Sequence, residues 1–254
     1  MNRKTIVTAV AMLACGAALA AVETTNTLCR IKIASSSKET ILSIPLITVG
    51  TDGSASPTID VTKYVLTDGL QNGDKLLLKH DGVWETWKFD GTAWSGGKTV
   101  SGDTVTTSSS TLPLGDCICL IRSNPSSTIY LYGELPTNSA KVQTASKGVW
   151  TMLGNVKPVS VELSGFTEKC TVKPAAGDII YLANSGATKQ YTYKDSKWQY
   201  QDWSNPQETT VVILGTPHTV KTASWVDGST DKIPAGAGFW YVRSADSALS
   251  VNWN

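Results

Sequence analysis

The sequence predicts an all-β protein made of two tandem modules, each a β-sandwich or a small β-barrel, related by an internal repeat. Dipeptides that supply the positive φ angles of tight hairpins are frequent, with Asp-Gly at 52, 68, 81, 90 and 227 and Asn-Gly at 72. β-branched residues are dense between these turns, and beyond residue 20 no stretch has the 3.6-residue apolar period of an amphipathic helix. Short strands separated by such turns are typical of sandwiches and barrels.

Three segments of the first half of the chain recur, in the same order, in the second half. The matched segments are Gly73–Trp94 with Gly177–Trp198, Leu112–Ser123 with Ile233–Ser244 and, more faintly, residues 32–38 with 141–147. We therefore expect two copies of one module, residues 21–137 and 138–254, each of ordinary domain size. The later copy carries about 17 extra residues between Gln199 and Lys232.

The first 20 residues have the composition of a secretory signal peptide. Arg3 and Lys4 form a positive start, residues 6–19 are apolar, and residues 18–20 have the A-x-A pattern of a cleavage site. We expect cleavage after residue 20 and export to the cell surface, the periplasm or the exterior. Lipidation of Cys15 is the weaker alternative, because a bulky leucine stands two residues before it.

Charge and composition exclude several classes of function. Without Arg3 and Lys4 the chain carries 20 basic and 21 acidic residues, a net charge of −1, which argues against a nucleic-acid partner. No later apolar run reaches the roughly 18 residues of a membrane-spanning helix. Only two histidines occur, and the aspartates at 52 and 227–231 lack the spacing of a calcium loop, so they predict turns. We expect no cofactor and no metal.

The exported chain would contain four cysteines, Cys29, Cys117, Cys119 and Cys170. An even number in an oxidising compartment predicts two disulfides. In a strand, residues 117 and 119 would have Cα atoms about 6.6 Å apart, near the limit for a disulfide, so a bond between these two is least favoured. We expect one of them to pair with Cys29 and the other with Cys170, in either combination. A metal site at this C-x-C pair is the weaker alternative.

Residues kept in both copies are expected to support the fold that the copies share. The expected core aromatics are Trp87 and Phe89 with their equivalents Tyr191 and Tyr193, and Trp94 with its equivalent Trp198. The apolar segment Gly238–Val242 is predicted to be a fully buried strand. Asp74 and Asp178 are repeat equivalents, as are Arg122 and Arg243, so we expect them to form ion pairs or to fix turns.

Aromatic residues present in only one copy are the candidates for ligand binding. Trp84 shares a predicted strand face with Thr86 and Lys88, and its equivalent is a threonine. Trp203, Trp225 and Tyr200 lie in or beside the extra segment, close to glutamines and an aspartate. An aromatic ring can stack on the C–H face of a sugar while amides and carboxylates bind its hydroxyls.

Two motifs carry a resemblance to known proteins. Phe89-Asp-Gly-Thr-Ala-Trp94 and Pro234-Ala-Gly-Ala-Gly-Phe-Trp-Tyr-Val-Arg243 resemble repeated modules of large, uncharacterised families of exported bacterial proteins. The resemblance covers about a third of the chain and implies export and a β-rich architecture. It assigns no functional residues.

The leading functional hypothesis is a non-enzymatic, exported structural or adhesive protein, with glycans or other cell-surface proteins as partners. The alternative is a carbohydrate-binding protein that uses the aromatics found in only one copy. A glycan hydrolase with paired carboxylates ranks third, because such carboxylates need no local motif. We predict no catalytic residues, since the sequence contains no G-x-S-x-G elbow and the two histidines do not occupy equivalent positions.

Overall fold

The computed structural model describes residues 28–34, 39–43, 46, 58–60, 70–80, 83–101, 104–107, 111–113, 116–124, 128–134, 141–184, 187–213 and 216–253. The predicted signal peptide, Cys15 and the predicted turn at residue 52 lie outside these residues. The described strands are β1 Leu28–Ala34, β2 Glu39–Ser43, β3 Thr58–Asp60, β4 Lys75–His80, β5 Val83–Phe89, β6 Trp94–Gly96, β7 Lys98–Ser101, β8 Thr104–Thr107, β9 Thr111–Pro113, β10 Cys117–Ile121, β11 Thr128–Glu134, β12 Val142–Ala145, β13 Trp150–Gly154, β14 Val161–Glu162, β15 Cys170–Val172, β16 Ile179–Asn184, β17 Ala187–Lys194, β18 Lys197–Ile213, β19 Thr216–Asp227, β20 Lys232–Ile233, β21 Gly238–Val242 and β22 Leu249–Asn252. With one short helix, α1 (Leu163–Lys169), they confirm the all-β class.

The strands form antiparallel sheets, two of them large. The first half of the chain contains a five-stranded sheet in the order β2-β10-β4-β5-β6, and the second half a six-stranded sheet in the order β13-β21-β16-β17-β18-β19. Smaller sheets are β12-β22-β15, β1-β11, β14-β20, β3-β9 and β7-β8. None of the described sheets closes into a barrel.

Alternation along β5 agrees with the predicted two-sided strand. Glu85 and Phe89 are buried on one side, whereas Trp84, Thr86 and Lys88 are exposed on the other. Phe89 packs in a core with residues of β4 and β10, and the Asp90 carboxylate then accepts hydrogen bonds from the next turn before β6 begins. The hairpin β4–β5 and the turn that follows it therefore form where the sequence predicts them.

Each large sheet covers its own hydrophobic core. The core of the second half contains Trp198 and Tyr241 and is closed by α1, which inserts Leu163 and Phe166. The sequence analysis did not predict this helix, because seven residues span only two turns and are too short for a periodic pattern. Trp198 also donates a 2.9 Å hydrogen bond from Nε1 to Oγ1 of Thr167 on the helix.

A buried aspartate anchors the same turn in both halves. Asp178 accepts hydrogen bonds from the Ser244 backbone N–H and hydroxyl, both at 2.7 Å, and from Nη1 of Arg243 at 2.6 Å. In the first half, Asp74 accepts from Ser123 at 2.7 and 2.8 Å and from Nε of Arg122 at 2.9 Å. The predicted ion pairs are confirmed, and both are buried.

Hydrogen bonding decides the protonation of these aspartates. Burial alone would raise the pKa of Asp178, but hydrogen bonds from Tyr241, Ser244 and Ala175 outweigh it and hold the pKa below its usual range. The pKa of Asp74 is also held below its usual range, because hydrogen bonds from Ser123 and Gln71 outweigh the effect of burial. Each carboxylate is therefore charged at neutral pH in a site that water does not reach.

Two glycines bring the halves into contact. Gly154 and Gly238 are cross-strand partners in β13 and β21. A Cβ atom on Gly154 would lie 2.5 Å from Cβ of Ser43, and one on Gly238 would lie 2.4 Å from Cγ2 of Ile41. The Ser43 backbone N–H also donates a 2.9 Å hydrogen bond to the carbonyl of Gly236. Only residues without a side chain permit this close approach of β2 to the second half.

The described cysteines do not form the predicted disulfides. Cys117, Cys119 and Cys170 are free and buried, and the side chain of Cys29 lies outside the described residues. Cys170 packs in the second core, where its thiol donates to the Phe166 carbonyl at 3.3 Å. Cys117 and Cys119 lie on β10 of the other sheet. The three buried thiols form no disulfide and act as small apolar side chains instead.

The predicted extra segment of the second half is a long hairpin. β18 and β19 pair from Gln199 with Asp227 out to Ile213 with Thr216, with a register shift between Asp202 and Gln207. Among the described residues of the first half no comparable extension occurs: β6 ends at residue 96, and β7 and β8 form a separate small sheet.

Candidate functional site

One face of the six-stranded sheet carries most of the candidate site, and we call it the outer face. The strand register places its side chains in two rows across the sheet. One row contains Trp150, Val242, Ile179, Thr192, Gln199 and Asp227. In the other row, Met152, Trp240, Tyr181 and Gln190 are paired in turn, Gln201 is paired with Trp225, and Gln190 and Gln201 line a common groove.

Alternation along each strand explains why these residues face outward. Their neighbours in sequence, such as Leu153, Phe239, Ile180 and Tyr191, are completely or almost completely buried in the second core. Successive side chains of a strand point to opposite sides, so the residues between them must leave the core. The outer face is thus fixed by the packing of the opposite face.

The hairpin end of the outer face holds two of the four predicted ligand-binding aromatics, Trp203 and Trp225, and a third, Tyr200, borders the same groove from the core side. Trp203, Trp225 and Tyr200 line a groove of about 320 Å³ together with Gln190 and Gln201. Trp203 is 60% exposed and Trp225 is 42% exposed, which is unusual for tryptophan. The structure therefore brings together residues that the sequence placed in or beside one segment.

Tyr200 borders this groove in a different way from the two tryptophans. Its ring packs against the second core and meets Tyr191 with the ring centroids 6.0 Å apart. Lys189 lies over the Tyr200 ring, with Nζ 3.2 Å from the centroid, and also forms a 2.8 Å ion pair with Asp231. Tyr200 therefore supports one wall of the groove, whereas Trp203 and Trp225 expose their rings.

The opposite end of the outer face meets the first half of the chain at a cleft of about 300 Å³. Trp84 enters this cleft and meets Trp240 edge to face, with ring centroids 6.2 Å apart. Trp150 meets Trp240 at 6.1 Å and stacks on Tyr181 at 5.1 Å. Trp84 is 41% exposed and Trp150 is 52% exposed. The cleft is thus walled by aromatic rings from both halves.

Two of these residues depart from the sequence analysis. Trp240 was predicted to lie in a fully buried strand, but only Phe239 and Tyr241 point into the core, and Trp240 is half-buried at the cleft. The sequence analysis did not select Trp150. Aligned through the strand register, its counterpart on β2 is Glu39. The criterion that selected Trp84, an aromatic found in only one copy, would also have found Trp150.

On β16 the two rows of the outer face contain Ile179 and Tyr181, and the part of the rows between β16 and β19 is polar and uncharged. Gln190, Thr192, Gln199 and Gln201 occupy it, and each supplies hydroxyl or amide groups for hydrogen bonding. Charged groups lie at the rims. Lys197 pairs with Asp227 at 3.0 Å beside the hairpin, and Lys141 pairs with Asp116 at 2.8 Å beside the cleft.

The carboxylates near the two ends are held by neighbours. Asp231 accepts 2.8 and 2.7 Å hydrogen bonds from Lys189 and from the hydroxyl of Tyr191. Burial would raise the pKa of Asp231, but these bonds outweigh it and hold the pKa below its usual range. The segment 227–231 forms the predicted turn, with the Ser229 N–H donating to Asp227. Within the described residues no three His, Cys, Asp or Glu side chains gather as metal ligands.

The described part of the chain contains no helix that is long and apolar enough to cross a membrane. Compared with protein-family models, with curated proteins and with solved structures, the chain gives no match. The argument for function therefore depends on the site itself.

Proposed function

We propose that this is an exported, non-catalytic protein that binds carbohydrate through the outer face of its six-stranded sheet. One observation carries the proposal: exposed or half-exposed aromatic rings stand at both ends of a face that presents glutamine and threonine side chains between them. The sequence analysis ranked carbohydrate binding second. Rings that bind glycans also give the leading hypothesis, adhesion, a chemical basis.

The chemistry of the face suits sugars better than other ligands. Trp203 offers a flat apolar surface on which the C–H face of a pyranose can stack, and Gln190 and Gln201 lie beside it to bind hydroxyl groups. Trp225 extends this surface, and the Lys194 ammonium lies 5.3 Å from the centroid of its ring. Contact of an exposed tryptophan ring with water is unfavourable, and a ligand that covers the ring removes that cost. The side chains of Gln190, Thr192, Gln199 and Gln201 carry no charge, which favours a neutral glycan. The two lysines at the groove, Lys189 and Lys194, lie over the rings of Tyr200 and Trp225.

The remaining parts of the proposal concern architecture and export. The shared strand order β10-β4-β5-β6 and β21-β16-β17-β18, together with the equivalent Asp74 and Asp178 networks, supports two copies of one module. Export follows from the predicted signal peptide and from the resemblance to exported bacterial families. Mass spectrometry of the protein secreted from its host tests cleavage after residue 20.

A glycan array tests the binding proposal. We expect the wild type to bind a limited set of neutral glycans and Trp203→Ala to lose most of that binding. Val159→Ala is the matched control, because Val159 is 62% exposed but lies away from the outer face. Absence of binding to all glycans, or full binding by Trp203→Ala, would contradict the proposal.

A second candidate function is self-assembly through the hairpin arm, which we define as residues 207–213 and 216–222. All its described side chains are exposed, including Val211, Val212 and Val220. A two-stranded hairpin is marginal by itself in water, so a partner would stabilise it. Sedimentation velocity would show concentration-dependent association that Val212→Lys abolishes. A wild type that stays monomeric over the concentration range would remove this candidate.

A further inference from the structure

The two aromatic ends belong to one continuous surface. Trp240 lies on β21 and Trp225 on β19, so four strand spacings separate them, or ~19 Å at about 4.8 Å per spacing. Between them the same row contains Tyr181, Gln190 and Gln201. We call this line of side chains, from Trp240 through Tyr181, Gln190 and Gln201 to Trp225, the track. It forms one elongated surface rather than two isolated pockets.

The track is longer than one or two sugars need. A single stacked sugar would require only Trp203 and Trp225 with the neighbouring glutamine. The structure also supplies Trp150 and Trp240 at the other end, each with a ring in the cleft. The arrangement is therefore suited to a ligand that touches both ends at once.

The first half of the chain completes one end of the track. Trp84 closes the cleft from the first half, and the contact of Gly238 with Ile41 fixes how near the two sheets come. The ring of Trp84 meets Trp240 edge to face, so the cleft contains an aromatic corner rather than a flat wall. The chain end of an extended ligand would fit against this corner.

Sheet twist limits the shape of the ligand. Neighbouring strands rotate by about 20–25°, so over four spacings the directions in which the two ends face differ by ~80–100°. A flat crystalline surface cannot contact both ends of such a track. A single chain that twists along its length can contact both.

We infer that the outer face binds a single, soluble, unbranched chain of neutral β-1,4-linked sugars that spans both aromatic ends. This inference rests on the proposed carbohydrate-binding function. Gluco-configured units such as glucose and N-acetylglucosamine carry equatorial substituents, which leaves flat C–H faces for stacking, and a β-1,4 linkage keeps the chain extended. Binding at two linked ends gains affinity because the second contact becomes intramolecular.

Isothermal titration calorimetry with cellobiose, cellohexaose, chitobiose and chitohexaose tests the inference on the full chain. In at least one series we expect the hexasaccharide to bind about tenfold or more tightly than the disaccharide. Trp150→Ala and Trp203→Ala should each weaken hexasaccharide binding about fivefold. Val159→Ala should leave it unchanged, and near-ultraviolet circular dichroism should show that each variant is folded. Microcrystalline cellulose and chitin should deplete little protein from solution.

Several outcomes overturn the inference while the proposed function stands. These are equal affinity for the two lengths, full hexasaccharide affinity in Trp150→Ala, strong depletion by a crystalline polymer, and array binding only to glycans without a β-1,4-linked chain. Failure of every glycan on the array would instead remove the proposed function, and the inference with it.

Discussion

Replacing Asp178 by Asn would remove the charge at the centre of the second-half network without changing the size of the side chain. Arg243 would keep its hydrogen bonds to the carbonyls of Ser247 and Lys173 but would lose its anionic partner. The guanidinium is almost completely buried, so water cannot replace the carboxylate. The substitution therefore leaves a buried, uncompensated cation.

The burial of this ion pair sets the expected loss in the free energy of unfolding. Removing one partner of a buried, hydrogen-bonded ion pair typically lowers the free energy of unfolding by about 3–5 kcal/mol. Asp178 also binds the backbone N–H groups of Ser244 and Ala175, so the substitution further weakens the turn that precedes β16. We expect the loss for Asp178→Asn to lie in this range.

The loss has a defined pH dependence. Because the folded pKa of Asp178 is below its unfolded value, its contribution to stability is fully present above the unfolded pKa of about 3.9. The contribution disappears as the pH falls through the folded pKa. The difference between wild type and Asp178→Asn is therefore large at pH 7 and shrinks in strongly acidic solution.

Urea unfolding followed by tryptophan fluorescence measures this difference, since Trp198 is buried in the same core. Asp246→Asn is the matched control, because its ion pair with Lys147 is exposed and should contribute under about 1 kcal/mol. Equal midpoints for wild type and Asp178→Asn at pH 7 would refute the reasoning. A difference between them that does not change with pH would refute the charge-based part of it.

Two further predictions concern the contact between the halves and the thiols. Gly238→Ala places a methyl group 2.4 Å from Ile41 Cγ2, so we expect the free energy of unfolding to fall by about 1–3 kcal/mol. We also expect faster proteolysis between the halves, and an unchanged digestion pattern would contradict this. Burial raises the pKa of Cys117, and burial is also the main reason that the pKa of Cys119 is raised to about 11 and that of Cys170 to about 12. All three should react with Ellman's reagent at pH 8 only after unfolding, whereas failure to react even in denaturant would indicate disulfides.

Local sequence was enough to predict the hairpins. Strands β4 and β5 are short runs rich in aliphatic and aromatic residues on both sides of an Asp-Gly pair, and this pattern depends only on neighbouring residues. The repeat added a long-range prediction, the Asp74 and Asp178 ion pairs, because conservation between two copies of a module marks shared structure.

Patterns that depend on the other half of the chain were not predictable in this way. The apolar run at β21 contains Trp240, and hydrophobicity alone cannot distinguish a fully buried strand from one whose outer face meets a neighbour. The predicted disulfide of Cys170 was wrong for a related reason. An even count predicts bonds, but pairing requires proximity, and Cys170 packs in the second core whereas Cys117 and Cys119 lie on β10 of the five-stranded sheet.

The sequence by itself determined the β-rich class, the β4–β5 hairpin with the turn that follows it, the two sides of β5, and most of the aromatics that only one copy carries. These properties follow from residue type and from a two-residue alternation along the chain. The tertiary structure alone decided that Trp84, Trp150 and Trp240 meet in one cleft, at the end of the sheet face that also carries Trp203 and Trp225. That arrangement depends on sheet order and on the close approach at Gly154 and Gly238, which bring together residues distant in sequence.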